Sequence, residues 1–195
     1  VRMADEGGGR QRLFVAVPLP GALFELVHAA QESLPRVPGL RLMREEQYHV
    51  TLAFIGEVGG SKAKAAREVV RSVPGDMGGD AFISGFLLLP SPGKARVVAL
   101  EMSDEHRVFE RLYEHVMTGL EAAGVMRREK RPFRPHLTIA RLRSPVPVQP
   151  RSESGRTRFA VESVCLYESE LRREGAVYTV LERTVLTPGD GYERG

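Results

Sequence analysis

The chain has 195 residues, 42% hydrophobic and 27% charged, with a formal net charge of +3; this suits one compact domain or two small lobes and excludes an intrinsically disordered chain. No apolar run approaches the roughly 20 residues of a membrane-spanning helix, and the segment VRMADEGGGRQR carries no signal-type hydrophobic stretch, so a cytoplasmic protein without membrane association is expected. The single Cys165 excludes a disulfide framework and a multi-cysteine metal site.

Residues 1–11 and 188–195 read as flexible ends around a domain spanning 12–187. From Arg12 to Val17 a β-type run is stopped by Pro18 and Pro20, and Leu23, Val27, Ala30 and Leu34 then recur at helical spacing. Leu40 to Met43 and Tyr48 to Ile55 predict two strands, the second closed by Gly56, and Lys62 to Val73 an amphipathic helix. Ala81 to Leu89 and Arg96 to Met102 predict a hairpin through the turn PSPG. Ser103 or Asp104 can cap a helix whose apolar stripe is Val108, Phe109, Leu112, Val116 and Leu120, ending at Gly124. The strand Pro135 to Arg141 follows, then an irregular loop from Arg143 to Ser154, and a hairpin of Arg158 to Glu168 with Ala176 to Leu186. The order predicts an α+β fold with largely antiparallel sheet.

Charge is unevenly spread. Between Arg127 and Arg158 stand ten basic residues and two acidic ones, a local +8 against −5 for the remainder. That is the footprint of a polyanion-docking zone, although a solvated arginine-rich loop explains the same residues.

Two strands read nearly alike: His49-Val50-Thr51-Leu52-Ala53 and His136-Leu137-Thr138-Ile139-Ala140. Strand alternation places His49 with Thr51 on one face and Val50, Leu52 and Phe54 on the core face; the same parity joins His136 to Thr138. Arg12 opens a strand followed by a helix and, 37 residues on, by His49; Arg96 opens a strand followed by a helix and, 40 residues on, by His136. A duplication accounts for both, predicting two lobes of antiparallel sheet related by a pseudo-twofold axis, helices packed outside and a central cleft between the histidines.

A single H-x-T strand is explained by a half-buried polar histidine, but two equivalent copies are not required by packing. Two imidazoles in one cleft suit proton transfer near neutral pH, one as base and one as acid. Thr51 and Thr138 can donate to phosphate oxygens, with Arg141 or Arg134 as cation. Phosphodiester chemistry is the natural candidate. No HEXXH or metal-carboxylate spacing and no P-loop occur, so neither a metal nor another cofactor is expected. Cys165 reads as core, and His28, His106 and His115 as surface or boundary residues of helical segments.

HVTLAFIG (His49 to Gly56) and PHLTIAR (Pro135 to Arg141) resemble the paired motifs of the two-histidine phosphoesterase superfamily. RLFVAVPLP, LLLPSPGKARVVAL and LYESELRREGAVYTVL extend the resemblance, in order, to its RNA 2′,3′-cyclic phosphodiesterase branch, historically called 2′-5′ RNA ligase. The resemblance implies a bilobal α+β fold and metal-independent hydrolysis of a 2′,3′-cyclic phosphate on RNA or a small nucleotide, leaving a 2′-phosphate. It implies that His49 protonates the departing 3′ oxygen and His136 activates water, labels that can be exchanged, while Thr51 and Thr138 bind phosphate. Arg141 falls where relatives place a cationic phosphate contact, although strict strand parity puts it on the opposite face. Phe14 is either a base-stacking residue or core, and Arg134 a further nucleotide contact. Tyr48 stands where relatives often carry tryptophan, a difference of packing rather than chemistry. No protein partner is implied, and a monomer suffices. Ligation, and non-catalytic binding of 2′-5′-linked or 2′-phosphorylated RNA, are the alternatives.

Overall fold

The computed structural model describes residues 9–151, 155–172 and 175–187. Among them are nine strands and three α-helices: β1 (Gln11–Pro18), α1 (Phe24–Glu32), β2 (Leu40–Leu42), β3 (His49–Val58), α2 (Gly60–Arg71), β4 (Gly79–Leu89), β5 (Ala95–Ser103), α3 (Val108–Ala122), β6 (His136–Val146), β7 (Thr157–Val161), β8 (Ser163–Arg172) and β9 (Gly175–Val185). The fold is α+β, as expected. The first strand opens at Gln11, one residue inside the segment expected to be a flexible end; the rest of that expectation, 1–8 and 188–195, lies outside the described residues.

The strands pair antiparallel in one open sheet of order β7-β4-β5-β6-β3-β1-β8-β9, with β2 against β6. Its two central strands, β3 and β6, share the single pair Val50↔Leu137, so the sheet is two halves, β7-β4-β5-β6 with β2 and β3-β1-β8-β9, hinged at the H-x-T segments. The halves repeat one another in register: Ala16↔Thr51 and Val17↔Val50 in one correspond to Ala99↔Thr138 and Leu100↔Leu137 in the other. Alternation divides the interior by face. Leu13, Val15 and Val17 of β1 join the main core with Val27 and Ala30 of α1, Val70 of α2 and Phe109, Leu112, Val116 and Leu120 of α3. Phe14 and Ala16 point the other way, into a small cluster with Cys165 and Tyr167.

Cys165 is thus core, as expected. Asp104 caps α3 from outside it, its carboxylate oxygens accepting the Phe109 and Glu110 amides at 3.1 and 2.8 Å. Other boundaries differ. Gly56 does not end β3; its φ of +78° lets the strand bulge, with Leu13↔Gly56 followed by Phe14↔Phe54, and continue to Val58. The expected loop from Arg143 begins as strand, because proline is tolerated near a strand's end and β6 runs through Pro145 to Val146; residues 152–154 of it lie outside the described residues. His106 lies in a turn rather than a helix. The expected strand Arg158 to Glu168 is two strands, β7 on β4 and β8 on β1, with Glu162 alone between them. The ends of the sheet therefore approach each other, and the Gly78 and Leu186 amides donate to the Thr187 and Glu162 carbonyls.

Candidate active site

Both H-x-T strands carry a bulge immediately after the motif. In β3, Thr51 pairs with Ala16 and Ala53 with Val15, leaving Leu52 extra; in β6, Thr138 pairs with Ala99 and Ala140 with Val98, leaving Ile139 extra. An extra residue inverts the alternation beyond it. Leu52 and Ala53 are both buried, as are Ile139 and Ala140, and the next residue of each strand emerges on the histidine face. Two expectations are corrected for this reason. Arg141 stands on the same face as His136 and Thr138, and Phe54, expected in the core, is 48% exposed. The bulged backbone is held in place, since the Ile139 carbonyl accepts the Met43 amide at 2.8 Å and the Gln31 side-chain amide at 2.9 Å.

Antiparallel register through Val50↔Leu137 sets Thr138 across from His49 and Thr51 across from His136. Each imidazole thus neighbours the threonine of the other half. The two histidines become diagonal neighbours, a relation in which long and aromatic side chains come within reach of one another.

The His136 Nδ1 lies 2.8 Å from the Arg134 carbonyl oxygen. A carbonyl only accepts, so Nδ1 carries the hydrogen and Nε2 is left for chemistry. His49 is likewise hydrogen-bonded to the backbone of the residue two before it, Gln47. Gln47 is buried and clamped, its Oε1 accepting the Arg44 amide at 3.1 Å and its Nε2 donating to the Ala176 carbonyl at 3.0 Å.

The surroundings of the two rings differ. His49 sits in an aromatic box: Phe14 at 4.9 Å between centroids, Tyr178 edge-on at 5.4 Å and Tyr167 at 6.2 Å. Burial pushes its pKa down from 6.5 to about 4, with the charges of Arg141 and His136 acting the same way and the Gln47 hydrogen bond opposing them. His136 instead faces Glu101 across the strand pair, and Glu101 holds Arg134 at 2.7 and 2.9 Å.

Of the expected site residues, His49, Thr51, His136, Thr138 and Arg141 come together. Phe14 is 4% exposed, stacked on Tyr167 at 5.0 Å and packed on His49. The basic zone is partly neutralised by acids from elsewhere: Arg128 pairs with Glu114 and Glu121, Arg134 with Glu101, Arg156 with Glu105 and Arg158 with Asp80. Local charge counting could not anticipate these partners, which lie outside the counted stretch. Sequence reading also missed Gln31, Gln47, Tyr167 and Tyr178. The two tyrosines lie inside a segment already singled out, but the glutamines act on backbone carbonyls, which carry no sequence signal.

A groove of about 880 Å³ opens at Thr51 and His136. Among the described residues no cluster of three or more His, Cys, Asp or Glu side chains is arranged to hold a metal ion, and no helix is long and apolar enough to cross a membrane.

Compared with known proteins, the family model described as LigT like Phosphoesterase matches twice, over residues 17–99 and 100–178, once around each histidine. The chain belongs to this LigT-like family. An RNA 2′,3′-cyclic phosphodiesterase of Archaeoglobus fulgidus is 31% identical over 172 residues, 86% of this chain and 96% of that protein. One from Thermus thermophilus is 32% identical over 194 residues, 94% of each. The crystal structure of E. coli LigT complexed with 3′-AMP superposes with a TM-score of 0.76 at 29% identity, covering 91% of this chain and 99% of that one. The antiparallel, α+β architecture of this chain matches that of LigT-like structures.

Proposed function

We propose that this protein hydrolyses 2′,3′-cyclic phosphate ends of RNA, or equivalent small nucleotides, to 2′-phosphomonoesters. The observation that carries the reading is the pairing of the two H-x-T strands through Val50↔Leu137, which supports two imidazoles and two hydroxyls acting on one phosphate. Its membership of the LigT-like family, with full-length relatives named for this activity, supports it.

Water attacks phosphorus in line with the P–O3′ bond; the new P–O bond forms as P–O3′ breaks, one histidine takes the proton of water and the other protonates the 3′ oxygen. Thr51 and Thr138 donate to non-bridging oxygens, and Arg141, on the same face, offsets their charge. Burial in the aromatic box lowers the His49 pKa to about 4 and so leaves the ring neutral at pH 7, the state of a base. This favours His49 as the group that activates water and His136, through Nε2, as the acid, an exchange of the roles that the family resemblance first suggests. Phe14 then serves by shielding His49, and Arg134 by holding, through its carbonyl, the His136 ring.

The test is product analysis. Purified protein should convert a cyclic-phosphate-ended oligonucleotide to the 2′-phosphomonoester, with turnover indifferent to chelator. His49→Ala and His136→Ala should each lower turnover by roughly 10²- to 10⁴-fold while the circular dichroism spectrum stays native. Near-normal turnover by either variant would overturn the pairing, and tight binding without product would leave a binding protein.

A further inference from the structure

Arg41 lies on β2 directly opposite Arg141 of β6. Directly paired residues of an antiparallel ladder turn their side chains to one face, so Arg41 rises beside Arg141 on the face of His136 and Thr138. Two cations facing each other across a strand pair repel, and packing alone gives no reason for a second arginine there. The Arg41 guanidinium reaches the other half of the sheet: at Gly175, the first residue of β9, a Cβ would fall on one of its nitrogens. Gly175 is buried and has a φ of +128°, a conformation that glycine adopts at little cost.

What Arg41 reaches is the end of a ribbon. β1 pairs with β8 only as far as Glu168, and from Ser169↔Tyr178 to Arg172↔Gly175 the strands β8 and β9 pair, among the described residues, with each other alone. A two-stranded ribbon is marginal by itself in water, so side chains from outside it must fix where it lies. Gln47 supplies one hold, through the Ala176 carbonyl, and Arg41 another at the neighbouring residue. Tyr178, three residues along β9 from Gly175, stands edge-on to His49 at 5.4 Å and to Phe14 at 4.9 Å. We propose that Arg41 is a positioning residue for His49: by holding the start of β9 against the half of the sheet that carries His136, it keeps Tyr178 over the His49 ring. Its bearing on catalysis rests on the cyclic-phosphate reading; the contact itself does not. The remaining neighbours of His49 are Phe14 of β1, Tyr167 of β8, the charges of Arg141 and His136 on β6, and the Gln47 backbone, none of which belongs to the ribbon beyond Glu168.

The experiment titrates the His49 imidazole by NMR and follows the ribbon amides by hydrogen exchange in the wild type, Arg41→Ala, Tyr178→Ala and the double variant. Arg41 is exposed, so its replacement leaves the core intact. In Arg41→Ala the ribbon amides should exchange about tenfold faster or more while those of α3 keep their protection, and His49 should titrate about one pH unit or more higher as water reaches it. In the Tyr178→Ala background the same substitution should raise the His49 titration no further, because Tyr178 is the means by which Arg41 acts. A bare loss of positive charge would raise it again there and would overturn the proposal, as would unchanged exchange and titration in Arg41→Ala. On a mononucleoside 2′,3′-cyclic phosphate, the acidic limb of kcat/KM should move up with the His49 titration. A wild type that gives no product would refute the cyclic-phosphate reading alone, and the exchange and titration results would still decide the role of Arg41.

Discussion

Two histidines with nearly the same sequence neighbours receive opposite surroundings in the folded protein: three aromatic rings around His49, and the Glu101–Arg134 ion pair beside His136. Burial among those rings lowers the proton affinity of His49, which has two measurable consequences. The acidic limb of the pH profile of kcat/KM reports the base of the free enzyme; it should fall near pH 4, far below an ordinary histidine, and move up toward 6.5 in Tyr178→Ala, which opens the box to water. A wild-type limb in the ordinary histidine range would take the base role away from His49. The second consequence concerns stability. As pH falls, an unfolded chain protonates this histidine through 6.5 while the folded protein resists until about 4, so protons favour unfolding and stability declines across that window. Between pH 7 and 4.5 the wild type should lose about 2–3 kcal/mol more than His49→Gln, measured by urea unfolding at both pH values. The motif histidines were legible as a pair because a doubled polar pattern on apolar strands serves no packing need. Their inequality was not, since Phe14, Tyr167 and Tyr178 reach His49 from β1, β8 and β9.

At the scale of elements, strand parity decides which side chains meet the substrate, and a single extra residue reverses it. Leu52 and Ile139 do this at matching places in the two halves, bringing Phe54 and Arg141 to the working face. Alternation read from sequence placed both on the wrong side, because a bulge is a property of two paired strands and neither strand declares it alone. Helix α3 shows the contrary case, where local chemistry suffices. Its apolar stripe is buried as its period requires, and Asp104 receives two of its first amides. Asp104→Ala should lower stability by about 0.5–2 kcal/mol in denaturant titration and leave kcat/KM on a mononucleotide cyclic phosphate unchanged.

Over the whole molecule, the two halves share one backbone pair in the sheet, so other contacts must set their relation. Gln31 of α1 is one: it is 8% exposed, its Nε2 donates to the carbonyls of Met43 and of Ile139 in the opposite half, and its Oε1 accepts the Tyr48 hydroxyl at 3.2 Å. Gln31→Leu strands two of these buried groups and loosens the bulge that follows Thr138. Stability should fall by about 2–4 kcal/mol in chemical denaturation, and kcat/KM should fall even where the variant is fully folded; unchanged values would show that the halves are positioned without it. The α+β class, the duplication, the four motif residues and the buried Cys165 were determined by the sequence alone, because periodicity, turn residues and repeated polar pairs are local signals. Tertiary structure alone decided the face of Arg141 and Phe54, the burial of Phe14, the neutralisation of the arginine zone and the environment of each imidazole. Those depend on partners far away along the chain, and only strand pairing and sheet curvature bring such partners together.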